Sequence, residues 1–407
     1  MSATSLAPPS GTTTVPRLAA VALMAGSCLP ILGAVLIAPV LPRIQEHFQD
    51  TPGAEALVPI ALTVPALALG LLAPFAGVLV DRLGRRRLLI TATVLYAFLG
   101  TAPLWLDSLG AIVASRALVG IAEAAIMTCC TTLIGDYWSG RERERYLAVQ
   151  TMCASLSATA FFVLGGAAGS AGWRTPFWAY AVSLLLVPLM AMTLRPVQRP
   201  AATRHQHDDT DRPFPWRLLT GPCAVTFFGA VVFYAVPVEM SFLLDDLGIT
   251  SATTVGLATA GASAATVVGA VCFTRLTTRA ETLLPYVFAL CAAGFAVMSF
   301  AQNVPLLVAG AVLNCLGAGM LLPSLVTRTM KLLHHGERGR GTGLWNSAFF
   351  IGEFLCPLAL LALAHLAGTL ADAVGLLAVA TAVLALSMLV HRSRHALAPA
   401  TADTTQA

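Results

Sequence analysis

Residues 56–87, ALVPIALTVPALALGLLAPFAGVLVDRLGRRR, decide the fold. Ala56–Val80 carries no charge, and a helix needs roughly 20 apolar residues to cross the hydrocarbon core of a bilayer. The run ends on Asp81-Arg82-Leu83-Gly84-Arg85-Arg86-Arg87, a basic stretch of the kind that stays on the cytoplasmic side. Similar runs recur outward in both directions. Leu18–Leu41, Leu88–Leu106, Gly110–Ile134, Leu147–Ala168 and Pro176–Leu194 complete a first set of six. Leu219–Leu243, Thr253–Phe273, Leu283–Phe300, Val304–Thr327, Leu344–Leu366 and Ala373–Val390 form a second. Composition agrees: of 407 residues 57% are hydrophobic and 11% charged, where soluble domains carry about 25% charged residues. The expected class is an all-α integral membrane protein with twelve transmembrane helices in two pseudo-symmetric six-helix bundles.

The distribution of positive charge tests that count. With both termini cytoplasmic, every one of the 24 Lys and Arg residues except Arg43, Arg116 and Arg174 falls in a cytoplasmic segment. A missed helix would scramble this asymmetry. The net charge of +4 therefore reflects topology and gives no reason to expect nucleic acid. The first span is too long for a signal-peptide core and is expected to stay. The expected location is the inner (plasma) membrane, as a multi-pass monomer in contact with the lipid bilayer. The nine cysteines show no metal spacing, so neither metal nor cofactor is expected.

Residues 195–216 divide the chain. They carry Pro196, Pro200, Pro213, Pro215 and the run His205-Gln206-His207-Asp208-Asp209. Without a second ligand cluster this reads as a solvated cytoplasmic connector. The expected organisation is thus 1–194 and 217–407 as bundles, joined by 195–216. The halves echo each other: Gly140-Arg141-Glu142-Arg143 returns as Gly336-Glu337-Arg338-Gly339-Arg340, and Gly77 with its basic loop returns more faintly as Gly269 with Arg275 and Arg279. Duplications of this kind are typical of secondary transporters.

In the stretch Gly77 to Arg87, Gly77 would let another helix approach closely, Asp81 sets a carboxylate at the membrane edge, and Gly84 permits a tight turn into the arginines. Its Gly, Asp, Gly and Arg spacing resembles the signature between helices two and three of the major facilitator superfamily. That resemblance implies that Gly77, Asp81, Arg82, Gly84, Arg85 and Arg86 form a gating element pinning the two halves at their cytoplasmic ends. Arg116-Ala117-Leu118-Val119-Gly120-Ile121-Ala122-Glu123 resembles the helix-four motif of proton-coupled members, with Arg116 and Gly120 matching. The segments Gly135 to Arg143, Gly165 to Arg174 and Gly341 to Ser347 look like further superfamily features. Helix five departs from the drug–proton antiporters by lacking a Gly-Pro pair.

An ion inside a membrane helix costs several kcal/mol unless paired or wet. Arg116 and Glu123 lie seven residues apart, on one helix face at about 10 Å, a face expected to line the central cavity. Glu239 lies toward the outer end of helix seven and Glu353 in the middle of helix eleven. A carboxyl group can pass between charged and neutral forms and so carry a proton in exchange for substrate. Glu123 and Glu353 are the first candidates. Asn314 and Asn346 add hydrogen-bonding groups, and Phe161, Phe162, Phe227, Phe228, Phe233, Tyr234, Trp345, Phe349 and Phe350 are expected to supply an aromatic wall. The expected function is alternating-access transport, with protons exchanged for a hydrophobic or amphipathic small molecule in efflux. An importer or symporter of a small metabolite shares the same fold and acids, and a non-transporting receptor is a third reading. A membrane enzyme is not expected, because the sequence offers no nucleophile–base pair, metal cluster or phosphate loop.

Overall fold

The structure, a computed structural model, describes residues 17–195, 216–276, 280–334 and 337–397; the side chains of residues 81, 280, 281 and 394–397 are outside the description. Apart from its two ends, the connector expected at 195–216, with its His/Asp run, lies outside the described residues, as does Gly336. Twelve helices among the described residues are long and apolar enough to cross a membrane. In chain order they are α1 (Arg17–Val35), α2 (Ala54–Leu72), α3 (Arg85–Thr101), α4 (Leu109–Tyr137), α5 (Gly140–Gly169), α6 (Thr175–Thr193), α7 (Trp216–Asp246), α8 (Ala252–Arg275), α9 (Ala280–Ser299), α10 (Val304–Lys331), α11 (Arg338–Ala367) and α12 (Leu370–Leu397). Helices dominate because a backbone in hydrocarbon must satisfy its own polar groups.

Several helices outrun the apolar stretches that announced them. α5 begins at Gly140 and α11 at Arg338, each on charged turns. A helix already satisfies its backbone, so it continues into water with no apolar side chains to support it. Others are interrupted. α1 stops at Val35 and the span resumes as a 3₁₀ turn, Ala38–Val40, and a short helix, Leu41–His47. α2 is followed, after Pro74, by Ala76–Leu83. The first part of α6, Thr175–Leu185, is 3₁₀.

α4 packs against α1, α2 and α3, α1 packs against α5, and α3 against α6. In the second half α10 packs against α7, α8 and α9, α9 against α12, and α11 against α7. The halves meet along two seams, α2 with α11 and α5 with α8. A shift of six helices exchanges these seams, which is what an internal duplication requires. Because consecutive spans alternate in direction, the loops with Arg82–Arg87, Arg141–Arg145 and Arg338–Arg340 share one end, here termed the basic end.

The α5–α8 seam is shut at the end opposite to the arginines. A Cβ on Gly256 would lie 2.5 Å from the Phe162 carbonyl, and one on Gly166 would lie 2.5 Å from the Ala252 carbonyl. Only glycine lets the two backbones come this close. At mid-depth Thr159 and Ser263 share a hydrogen bond of 3.2 Å. Further toward the basic end α5 turns out Met152 and Leu156, 70% and 67% exposed. The α2–α11 seam stays in contact, with Ser347 Oγ donating to the Gly70 carbonyl at 2.7 Å. The halves are thus in contact at both ends, through the α5–α8 seam opposite the basic end and through the α2–α11 seam toward it.

Gly77 does not serve as a packing site here. A Cβ there would meet nothing within 4 Å, and its neighbours Val78, Leu79 and Leu83 are exposed. The short helix Ala76–Leu83 that carries it packs on α3 and α4 of its own half, and the contact with α11 lies just before it, where a Cβ on Gly343 would lie 3.1 Å from Pro74 Cα.

Gly256→Val is expected to force the backbones apart and lower stability by about 1–3 kcal/mol, the usual cost of overpacking. Gly261→Val on the same helix, where a Cβ meets open space, is expected to leave the thermal midpoint near that of the parent. Thermal unfolding of the two purified variants in the same detergent checks the difference.

Candidate functional site

Four helix carbonyls organise the first half. Pro65 has no N–H, so the Ala61 carbonyl one turn earlier lacks its helical partner. α1 ends at Val35, which leaves carbonyls of its last turn in the same position. Arg116, fully buried, supplies the missing donors. Its Nε donates to the Ala61 carbonyl at 3.1 Å and its Nη2 to the Gly33 carbonyl at 2.6 Å, while Nη1 donates to Tyr180 Oη at 2.6 Å. Tyr96 adds a hydrogen bond to the Leu29 carbonyl at 2.6 Å. One guanidinium therefore ties α1, α2, α4 and α6 together. From the other half Tyr234 Oη donates to the Ala34 carbonyl, 2.6 Å away.

Gly120 sets the depth of this arrangement, since a Cβ on it would lie 2.5 Å from Pro65 Cα. Gly33 does so at the acid: a Cβ there would collide with the Glu123 carboxyl group. Glu123 is thus pressed against the last turn of α1, and its buried Oε1 finds no hydrogen-bond partner among the described residues.

Between the halves lies a cavity of about 360 Å³. Glu123 from the middle of α4 and Glu353 from the middle of α11 face it from opposite halves. Phe162, Phe233, Tyr234, Phe349 and Phe350 supply the aromatic wall. The remaining polar lining is a few hydroxyls, Ser263 and Thr259 among them, and one thiol. Lys, Arg and His do not occur in the wall. Its lining reaches Thr151 and Thr266, both on the basic side of the Thr159–Ser263 contact.

The structure separates the remaining candidates from this wall. Arg116 shares a helix face with Glu123, yet its long side chain turns sideways to the carbonyls and does not line the cavity. Asn314 is fully buried between α10 and α9, where its Nδ2 donates to the Cys291 carbonyl at 3.2 Å. It satisfies a neighbouring helix and does not reach the cavity. Glu239 is buried in α7 and also lies outside the lining. Asn346, Phe161, Phe227, Phe228 and Trp345 are likewise absent from the wall. Trp345 instead stacks on Phe349, with ring centroids 5.5 Å apart, backing a residue that does line it.

In the stretch read as a gating element, Gly84 has φ +82, a positive value that glycine adopts without strain, at the turn between Ala76–Leu83 and α3. The Asp81 side chain lies outside the described ones, and Arg82 is exposed. Arg85 pairs with Asp136 at the end of α4, and Arg86 Nη2 donates to the Ala191 carbonyl at 2.6 Å. These contacts staple the basic end of the first half to itself. Gly33, Tyr180 and Pro65 were not singled out by sequence. Pro65 carried a legible signal, because a proline in a span always leaves a carbonyl to be satisfied.

Comparison with known proteins agrees with this architecture. A family model described as Major Facilitator Superfamily matches residues 23–250 and again 222–405. The class C tetracycline resistance protein of Escherichia coli is 27% identical over 225 residues, which are 54% of this chain and 53% of that protein. The sphingosine-1-phosphate transporter SPNS2 of Danio rerio is 30% identical over 178 residues, 42% of this chain and 34% of that protein. The matches thus span about half or less of these relatives. A crystal structure of a bacterial homolog to the human lysosomal transporter Spinster, inward-facing and occupied, superposes with a TM-score of 0.72 at 16% identity, covering 94% of this chain and 98% of that one. Two six-helix halves around a shared cavity and a family match along nearly the whole chain lead to one assignment: the chain belongs to the Major Facilitator Superfamily and is a multi-pass membrane protein.

Proposed function

We propose that the protein exports an amphipathic small molecule, preferably one carrying a positive charge, in exchange for protons. The observation that carries this reading is the pairing of two cavity carboxyl groups with a wall free of basic side chains. An apolar body would lie against the aromatics while a cationic group met Glu123 or Glu353. An anionic group would find no counter-ion there. A proton and a cation compete for the same carboxyl oxygen, so loading one releases the other. The halves 1–194 and 217–407, joined by 195–216, would rock about this site in alternating access.

Arginine asymmetry supports placing the basic end and both termini in the cytoplasm of a cell with the protein in its plasma membrane. In that orientation the closely packed glycine contacts of the α5–α8 seam lie at the end away from the cytoplasm. A relative named for tetracycline resistance supports a small-molecule substrate; one named for sphingosine-1-phosphate transport, whose phosphate is anionic, lends no support to the positive charge. Import by symport would use the same acids with proton and substrate loaded together.

In proteoliposomes with an imposed pH gradient, a hydrophobic cation is expected to trigger proton movement in the opposite direction to its own. Glu123→Gln or Glu353→Gln is expected to abolish that movement. Proton and compound moving together would establish symport instead.

Equilibrium binding gives a second test. Affinity for the cation is expected to fall as pH falls, because the carboxyl groups then hold protons. A neutral isostere is expected to bind with little pH dependence. An anionic analogue of the same size is expected to bind at least about tenfold more weakly, the ratio that 1.4 kcal/mol produces.

A further inference from the structure

Three arginines lie outside the basic loops. Arg116 is accounted for above. Arg174 donates to Asp107 Oδ1 at 2.7 Å and to the Leu106 carbonyl at 3.0 Å, and its guanidinium lies 4.6 Å from the centre of the Trp173 ring. All of these partners belong to the first half. Arg43 differs. It sits on the short helix that follows the break in α1, at the end opposite the basic loops. Its Nη1 donates to the Gly169 carbonyl at 2.7 Å, the last residue of α5. Its Nη2 donates to the Thr250 carbonyl at 3.1 Å, in the turn before α8. One guanidinium thus bridges a carbonyl from each half across the seam.

We infer that Arg43 is the latch that holds this end of the cavity shut. Three features make the site suited to that task. The two carbonyls belong to helix ends and turns, so they have acceptor capacity left over for a cation. The fork of a guanidinium reaches two acceptors at once, which an ammonium on a flexible stem does not match. Directly beneath, Gly165 and Gly169 pack against Leu36 and Val40 and Gly169 meets Ala252, so the backbones under the arginine are already in contact. Opening this end must separate the Gly169 carbonyl from the Thr250 carbonyl, and Arg43 cannot then hold both.

Glu46 and Asp245 share the adjacent vestibule with Arg43. Among the described residues Arg43 forms no ion pair with either, so its hydrogen bonds go to the seam. The latch is electrostatic and geometric, and it needs neither substrate nor proton. It rests on alternating access and is independent of proton exchange at Glu123.

The test is a distance measurement between spin labels at Ala171 and Thr254, exposed positions on the two sides of the seam, in full-length protein in lipid nanodiscs with accessible native cysteines replaced. Arg43→Ala is expected to raise the population with a widened outer distance by roughly tenfold, the effect of losing one charge-assisted hydrogen bond. Arg43→Lys is expected to give an intermediate population, since it restores charge without the fork. Should Arg43→Ala fail to fold, Arg43→Gln, with one amide to offer, carries the same expectation. An unchanged distance distribution in folded Arg43→Ala, or in Arg43→Gln if the alanine variant is lost, would overturn the latch while leaving the export reading intact.

Discussion

The three hydrogen bonds of Arg116 are the constraint on which the rest of the first half depends. A fixed positive charge in the middle of a membrane protein is tolerated only where it is fully partnered. Here its partners are two carbonyls left over by a proline and a helix end, plus a tyrosine hydroxyl. These acceptors are not optional for the chain either, because an unpaired carbonyl in hydrocarbon is costly. Each side solves the other's problem, and four helices are held at a fixed depth as a result. The break in α1 follows, and with it the position of Glu123 against Gly33.

That geometry gives the cavity its character. The guanidinium is spent on carbonyls, so it does not enter the cavity wall, and Glu123 keeps an oxygen without a partner. Glu353 faces the same space from the other half. The cavity wall therefore carries two carboxyl groups and several aromatics and is otherwise mostly apolar, the basis of the cation preference proposed above. The α1 turn also receives Tyr234 from the opposite half. The last turn of α1 thus touches the buried arginine, the cavity acid and the opposite bundle.

Much of this was legible in the sequence. The spans, their number and the basic end follow from hydropathy and arginine placement, because the bilayer leaves a helix few choices. Glu123 and Glu353 were found because a carboxyl in mid-span stands out. What periodicity could not supply was side-chain direction. Arg116 and Glu123 share a face by spacing, but a long arginine reaches sideways to whatever carbonyl is free. Asn314 reads as a cavity group by its place in the span, yet its amide satisfies the Cys291 carbonyl of the preceding helix. Spacing marks Gly77 as a helix-contact glycine, but a Cβ there would meet nothing within 4 Å. Arg43 was visible only as an exception to the charge rule; its role depends on two backbone carbonyls distant in sequence.

The proposed exchange requires a cavity carboxyl group that holds a proton until a cationic ligand displaces it. Difference infrared spectroscopy of the purified protein, with and without a saturating hydrophobic cation, reads that event directly. Proton exchange at this site predicts loss of a protonated-carboxyl band on ligand addition, reduced or absent in Glu123→Gln or Glu353→Gln. A bound ligand that leaves the protonated-carboxyl region unchanged would contradict it.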